Sequence, residues 1–376
     1  MERRTIVAGS LPMLLTPLTA LADWELNMPR GVTDLSAEIY GLHMLTLWIC
    51  VGIGIIVFGA MAYSISHHRK DKGHKAATFH ESTTAEIIWT IIPAIILVSL
   101  AIPAAQALIK IEDASNADLT IKVTGYQWKW EYEYPEEGIR FFSSLDSKSR
   151  EASTLGSGID PASIDHYLRE VDNPVVIPVG RKVRFLFTAN DVIHAWWVPD
   201  LAIKKDAIPG FVNDMWAKVN QPGVYRGQCA ELCGKDHGFM PIKVIALEDA
   251  DYQQWVAEQK QQAAAASAAS DREWSRDELL TQGQKVFTAS CAACHQATGL
   301  GIPGVFPALK GSKIATGDLN AHIGIVLHGK TGTTMQAFGK QLSDADIAAV
   351  ITYERNAFGN NMGDIVQPAA VKAARQ

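Results

Sequence analysis

Two stretches of this chain run without charge for longer than a water-soluble fold accommodates. One extends from Ile39 to Ser66 (I-Y-G-L-H-M-L-T-L-W-I-C-V-G-I-G-I-I-V-F-G-A-M-A-Y-S-I-S) and the other from Ile87 to Ile109 (I-I-W-T-I-I-P-A-I-I-L-V-S-L-A-I-P-A-A-Q-A-L-I). Each exceeds the roughly 20 residues that cross a bilayer's hydrocarbon core. The spacing predicts two transmembrane helices over about 40–65 and 87–109; the alternative is a buried soluble hairpin. Pro93 and Pro103 would kink a soluble helix but are commoner in membrane helices. Small residues such as Gly52, Gly54, Gly59, Ala101 and Ala105 allow close helix packing. The connecting loop carries Arg69, Lys70, Lys72 and Lys75, which places it in the cytoplasm. Everything after Lys110 then lies on the outer face.

The start of the chain agrees with that orientation. Glu2-Arg3-Arg4 precedes an apolar run from Ile6 to Leu21, and Ala20-Leu21-Ala22 has a small-x-small cleavage pattern. Residues 1–22 read as a signal peptide, with a short anchor as the alternative. Thr83-Thr84-Ala85-Glu86 opens the second span. It reads as a capping box of Thr83 with Glu86, although a carboxylate at a membrane boundary can also receive protons.

The remaining length, out of 376 residues, allows two or more further domains. A net charge of -6 argues against nucleic acid as a partner. From 111 to 256 the texture is β. Leu119–Thr124, Val175–Val179, Lys182–Phe187 and Ile242–Ile245 alternate with period two, punctuated by Gly180, Pro199, Pro209-Gly210 and Pro222-Gly223. Such a series predicts a β-sandwich or barrel. The polar, Ser-rich piece from Phe142 to Arg169 reads as a long surface loop.

Of five cysteines, Cys50, Cys229, Cys233, Cys291 and Cys294, four fall in two close pairs. That suggests ligation or cofactor attachment rather than a dispersed disulfide framework. The first pair lies in G-Q-C-A-E-L-C-G-K-D-H-G-F-M-P, with His237 and Met240. These are soft donors suited to a transition metal, and His194 in D-V-I-H offers a second imidazole. A mononuclear blue-copper site uses one Cys. Two thiolates can bridge a pair of coppers, leaving one His for each. A disulfide loop is the competing reading in an oxidising compartment.

This loop resembles the dinuclear copper (CuA) loop of cytochrome c oxidase subunit II, with its C-x-E-x-C-x3-H-x2-M pattern. D-V-I-H-A-W-W-V-P-D-L, K-K-D-A-I-P-G, G-Y-Q-W-K-W-E-Y-E-Y and E-I-I-W-T-I-I-P-A-I-I-L resemble further segments of that family, in order, over nearly all of Asp34 to Trp255. The resemblance implies a cupredoxin-like Greek-key domain on a two-helix hairpin. It implies that Cys229 and Cys233 bridge two coppers, each also bound by His194 or His237. Met240 would bind one copper weakly, and the Glu231 carbonyl the other. It further implies a Mg²⁺ held by the Glu231 side chain with the catalytic subunit, electron entry at Trp128, and Glu86 at the mouth of a proton path. Read without the family, Trp128 is an aromatic within a strand. The chain departs from the family at Phe211, where Arg is common.

Residues 257–274 are rich in Ala, Gln and Ser and read as a linker or helical extension. Ser275 with Glu278 then predicts a capped helix ending near Ser290. C-A-A-C-H, at Cys291, Cys294 and His295, is the c-type haem attachment motif. The cysteines form thioethers and His295 becomes the proximal ligand. F-P-A-L at Phe306 to Leu309 resembles the cytochrome c loop whose Pro carbonyl, here Pro307, orients that His. Met335 is the expected sixth ligand, with His322 and His328 as alternatives. Its segment resembles that of class I cytochromes c, although Gln336 stands where Pro is usual. An all-α domain is expected over 275–365, followed by a tail, 366–376.

The resulting expectation is a bacterial inner-membrane oxidase subunit II with a fused cytochrome c. It would take electrons from cytochrome c or another periplasmic carrier through haem c and CuA to subunit I. Oxygen reduction and proton pumping occur there, with subunit III alongside. The alternatives are a periplasmic copper-delivery protein and the electron-transfer subunit of a nitric oxide reductase.

Overall fold

The computed structural model describes residues 27–75, 77–154 and 156–375; the expected signal peptide lies outside them. The two charge-free stretches form helices α1 (Asp34–His67) and α2 (Thr83–Glu112). Their side chains face outward: Trp48, Ile55, Phe58, Trp89 and Leu97 are each more than 60% exposed. Such a surface needs lipid or apolar partner helices around it. At 1.5 Å per residue the helices reach about 50 and 45 Å, so both extend beyond the apolar segments read from sequence. Pro93 and Pro103 sit inside α2 without ending it.

The cap of α2 differs from expectation. Ser82 is the N-cap, its Oγ accepting from Ala85 N at 3.5 Å. Thr83 is already helical, and Glu86 lies one turn in, its N–H bonded to Ser82 O. With two hydroxyls in succession, the earlier one took the cap.

The membrane hairpin is tied to the outer domain at the end opposite the basic loop. Lys110 pairs with Glu38 across the two helices at 2.9 Å, and Trp216 Nε1 donates to Lys110 O at 3.0 Å. Val32 N donates to Asp200 O at 2.8 Å.

That domain is a sandwich of two five-stranded sheets. Its strands are β1 (Leu119–Tyr126), β2 (Lys129–Tyr134), β3 (Ile139–Ser143), β4 (Val175–Pro178), β5 (Val183–Ala189), β6 (His194–Val198), β7 (Ile203–Ala207), β8 (Asn213–Ala217), β9 (Gly223–Cys229) and β10 (Pro241–Leu247). The sheet orders are β3-β2-β1-β5-β8 and β4-β10-β9-β6-β7. The pairs β1/β5 and β4/β10 run parallel. The inward-facing aromatics Trp130, Tyr132, Tyr134, Phe185, Phe187 and Trp196 are fully buried between the sheets. Most of their polar tips find partners: Trp196 Nε1 donates to Tyr132 Oη at 3.1 Å, and Tyr134 Oη to Val176 O at 2.9 Å, while Trp130 Nε1 has none among the described residues. Between β3 and β4, the Ser-rich piece forms α3 (Ser147–Ala152). It is less of a loop than its polarity implied, since Leu145, Ser149 and Ala152 are buried.

The Ala/Gln-rich segment resolves as helix. α4 (Asp249–Ser270) buries Tyr252 and Val256 in the sandwich core and then runs out to the last domain. Trp274 Nε1 donates back to Ala269 O at 2.9 Å, which fixes the exit. The last domain comprises α5 (Arg276–Ser290), α6 (Ala292–His295), α7 (Leu319–His328), α8 (Asp344–Asn356) and α9 (Pro368–Ala374). The expected caps hold: Ser275 forms a capping box with Glu278, and Ser343 Oγ accepts from Asp346 N at 3.1 Å. The segment expected as a tail belongs to this domain, because Val366 and Val371 are buried in its core.

Helices α5 and α8 cross at Gly283. A Cβ there would stand 2.1 Å from Ala349 O, and only glycine lets the backbones approach so closely. Gly283→Ala should force the helices apart and destabilise this domain by about 1–3 kcal/mol. Denaturant unfolding followed by circular dichroism checks this; an unchanged midpoint would show that the crossing relaxes without strain.

Candidate metal centres

The first centre forms at one end of the sandwich. His194 opens β6, Cys229 closes β9, and Trp196 pairs in register with Cys229. The loop after β9 then brings Cys233 back. The ligand atoms of His194, Cys229 and Cys233 all lie within 4.8 Å of one another, and all three residues are buried. His237 Nδ1 is 3.5 Å from Cys233 Sγ, and Glu231 O is 3.3 Å from Cys229 Sγ. Met240, 1% exposed, lies beside them, its backbone O accepting from Cys229 N at 3.1 Å. The sulfurs are free and 3.8 Å apart, nearly twice a disulfide bond length. Two thiols, two imidazole nitrogens, a thioether and a carbonyl fit a pair of soft metal ions.

Electrostatics favour ligation. The Cys229 thiol is held far below its ordinary range, first by a hydrogen bond from Cys233, then by His194 and backbone amides. Cys233 moves up in turn, because the pair shares a proton. Burial lowers the basicity of His194, but its bonds to Asp191 and Cys229 outweigh that and raise it. Asp191 Oδ1 lies 2.9 Å from His194 Nε2, leaving Nδ1 turned toward Cys229 at 3.9 Å. A carboxylate on the far ring nitrogen fixes the orientation of a metal-ligating His.

The second centre is a cavity of about 420 Å³ in the helical domain. Cys291, Cys294, His295, Pro307 and Met335 line it. His295 Nδ1 meets Pro307 O at 2.9 Å, so Nε2 is the nitrogen left for a metal. Burial pushes both cysteine thiols up, the opposite of Cys229. The cavity also contains an orphan: buried His322 binds Glu354 Oε2 through Nε2 at 2.9 Å, while its Nδ1 has no hydrogen-bond partner among the described residues. Size, lining and orphan fit a haem. Of the three candidate sixth ligands, His328 is exposed and does not line the cavity, whereas Met335 and His322 both line it, His322 with Nε2 held by Glu354 and Nδ1 unpaired among the described residues.

The two centres share a wall. Trp128 is not within a strand: Gln127 and Trp128 form the two-residue tip of the β1–β2 hairpin, flanked by the pair Tyr126 and Lys129. Trp128 Nε1 and Gln127 Nε2 both donate to Cys233 O, at 3.1 and 2.8 Å. Trp128 packs over Gly234, where a Cβ would stand 3.2 Å from the indole ring and where the φ of +116° itself favours glycine. The same tip lines the haem-sized cavity, together with Lys129 and Arg150. Lys129 is pushed down to about 8 by burial, and its ammonium lies over the rings of Phe142 and Phe338, at 4.9 and 5.1 Å.

Sequence reasoning missed Asp191, Gln127, Lys129, Arg150 and Gln336. Asp191 had a readable signal, a carboxylate three residues before an imidazole. Gln336 had one too, as a departure after Met335. The others come together only through tertiary structure. Glu86 and Glu231 are exposed, as is Phe211, at 67%.

A copper-type dithiol centre on a sandwich held by two membrane helices, joined to a haem-type C-x-x-C-H domain, defines a membrane-anchored electron-transfer protein. Family models agree. "Cytochrome C oxidase subunit II, periplasmic domain" matches residues 119–247, and the transmembrane domain of the same subunit matches 22–107. "Cytochrome C oxidase, cbb3-type, subunit III" matches 278–353. A probable cytochrome c oxidase subunit 2 of Rickettsia bellii is 40% identical over 241 residues, 64% of this chain and 86% of that one. Cytochrome c oxidase subunit 2 of Arabidopsis thaliana is 35% identical, over 68% of this chain and 96% of its own. The crystal structure of the periplasmic domain of subunit II of cytochrome oxidase of Bradyrhizobium japonicum is 40% identical, covering 40% of this chain and 98% of that one, with a TM-score of 0.34. The chain belongs to the cytochrome c oxidase subunit II family and carries a C-terminal cytochrome c domain. It is an electron-transfer subunit of a cytochrome c oxidase, placed in the inner membrane with its sandwich domain in the periplasm and partnered by subunit I. The copper centre and haem c come with that membership.

Asp191→Asn removes the charge behind His194. It should weaken copper retention by about 10–100-fold, measured by competition with a chelator. Unchanged retention would separate Asp191 from the site.

Proposed function

We propose that this subunit relays electrons one at a time from a periplasmic carrier through its own haem domain to its copper domain and on to subunit I, with subunit III completing the complex. The observation that carries this reading is the Gln127–Trp128 tip, which bonds to Cys233 O on one side and lines the haem-sized cavity on the other. When bound, a haem c and a dinuclear CuA centre supply reversible one-electron chemistry; the chain's residues supply position.

Cys291 and Cys294 would hold the haem covalently, and His295, oriented by Pro307 O, would be the proximal ligand. Met335 would be the sixth. A Met ligand raises the potential relative to two His, which suits transfer toward oxygen. Cys229, Cys233, His194, His237, Met240 and the Glu231 carbonyl would together hold the two coppers. The exposed Glu231 side chain is free to help hold a Mg²⁺ against subunit I. Glu86, exposed in the first turn of α2, would admit protons to subunit I. Trp128 is the residue between the centres, and its indole N–H bond to a ligand's carbonyl fixes its plane. Because α4 joins both domains in one chain, delivery does not wait on diffusional encounter.

Two measurements test the ligand sets. The purified chain should show a near-infrared copper band and two coppers per polypeptide; one copper, or none, contradicts the dinuclear assignment. Met335→Ala should abolish the sulfur-to-iron band in the red, whereas persistence of that band would reassign the sixth ligand.

A further inference from the structure

We infer that Gln336 is a positioning residue that locks the haem domain onto the copper domain at the point where the two centres approach. The inference rests on the relay proposed above and adds how its geometry is held. Gln336 follows Met335 directly, and its side chain crosses the domain boundary. Nε2 donates to Gln127 O at 2.8 Å and lies 3.4 Å from Asp191 Oδ2. Gln341 Nε2 steadies the other end of the amide, 3.4 Å from Gln336 Oε1 and 2.8 Å from Ala337 O.

Both acceptors belong to the copper site's own scaffold. Asp191 Oδ2 also takes the Gln127 N–H at 2.7 Å, while its Oδ1 faces His194 Nε2 at 2.9 Å. One side-chain amide therefore links the neighbour of Met335 to the neighbour of Trp128 and to the carboxylate behind His194.

Other contacts across the boundary are less directional. Lys235 Nζ donates to Ala293 O at 3.1 Å, inside the C-A-A-C-H turn, and the Lys129 ammonium lies over the Phe338 ring. Long lysines tolerate displacement, whereas a planar amide with two acceptors does not. A Pro at this position would have no side-chain donor at all. A Glu would set a carboxylate against Gln127 O and Asp191.

The test uses the full-length oxidised chain, loaded with haem and copper, and pulsed electron-electron dipolar spectroscopy between the low-spin haem and the copper centre. The wild type should give one narrow distance distribution. Gln336→Ala and Gln336→Pro should broaden it, with the undocked fraction rising about tenfold, the effect of losing one or two hydrogen bonds. Gln336→Glu should broaden it at least as much. The red sulfur-to-iron band should persist in Gln336→Ala, which separates a docking role from support of the Met335 loop. A narrow, unshifted distribution in all three variants overturns the inference, as does loss of that band in Gln336→Ala. Absence of either paramagnetic signal in the wild type would instead defeat the underlying relay.

Discussion

The carbonyl of Cys233 receives two hydrogen bonds from the tip of the β1–β2 hairpin, and the geometry of both centres depends on that junction. The copper loop runs between β9 and β10, neighbours in one sheet. The bonds from Gln127 and Trp128 brace it against the other sheet. They also fix the ring that separates the copper site from the haem cavity. A two-residue hairpin loop is among the stiffest connections a sheet can make, and the buried aromatics below it keep the two strands from sliding. The sandwich therefore works as a rigid holder, and the functional groups sit on loops at its rim.

The chain solves an encounter problem by covalent joining. α4 begins in the core of one domain and ends against the other, so the haem domain is held near the copper domain rather than tethered loosely. Side-chain contacts at the boundary then set the orientation. The division of labour is physical: the helix sets distance, and the hydrogen bonds set angle.

Much of this was legible from residues alone. The membrane helices followed from lack of charge, and the sandwich followed from period-two strands. Cys229, Cys233, His237 and Met240 announced themselves by soft chemistry at close spacing, and C-A-A-C-H by a motif with a covalent reason. What sequence misjudged was local or long-range. Ser82 rather than Thr83 caps α2 because adjacent hydroxyls compete for one amide. Trp128 read as a strand residue because a two-residue turn leaves no Gly or Pro to mark it. The 366–376 segment read as a tail because two buried valines are too few to show periodicity. Arg150 reaches the cavity from a Ser-rich stretch with no pattern, and Asp191 meets Gln127 and Gln336 only after folding.

The claim that the haem domain serves the copper domain within one chain is tested most directly by flash photoreduction of the full-length, detergent-solubilised protein. Haem reduction should be followed by electron arrival at copper, at a rate independent of protein concentration. A copper phase that scales with concentration, or no copper phase at all, would contradict the account.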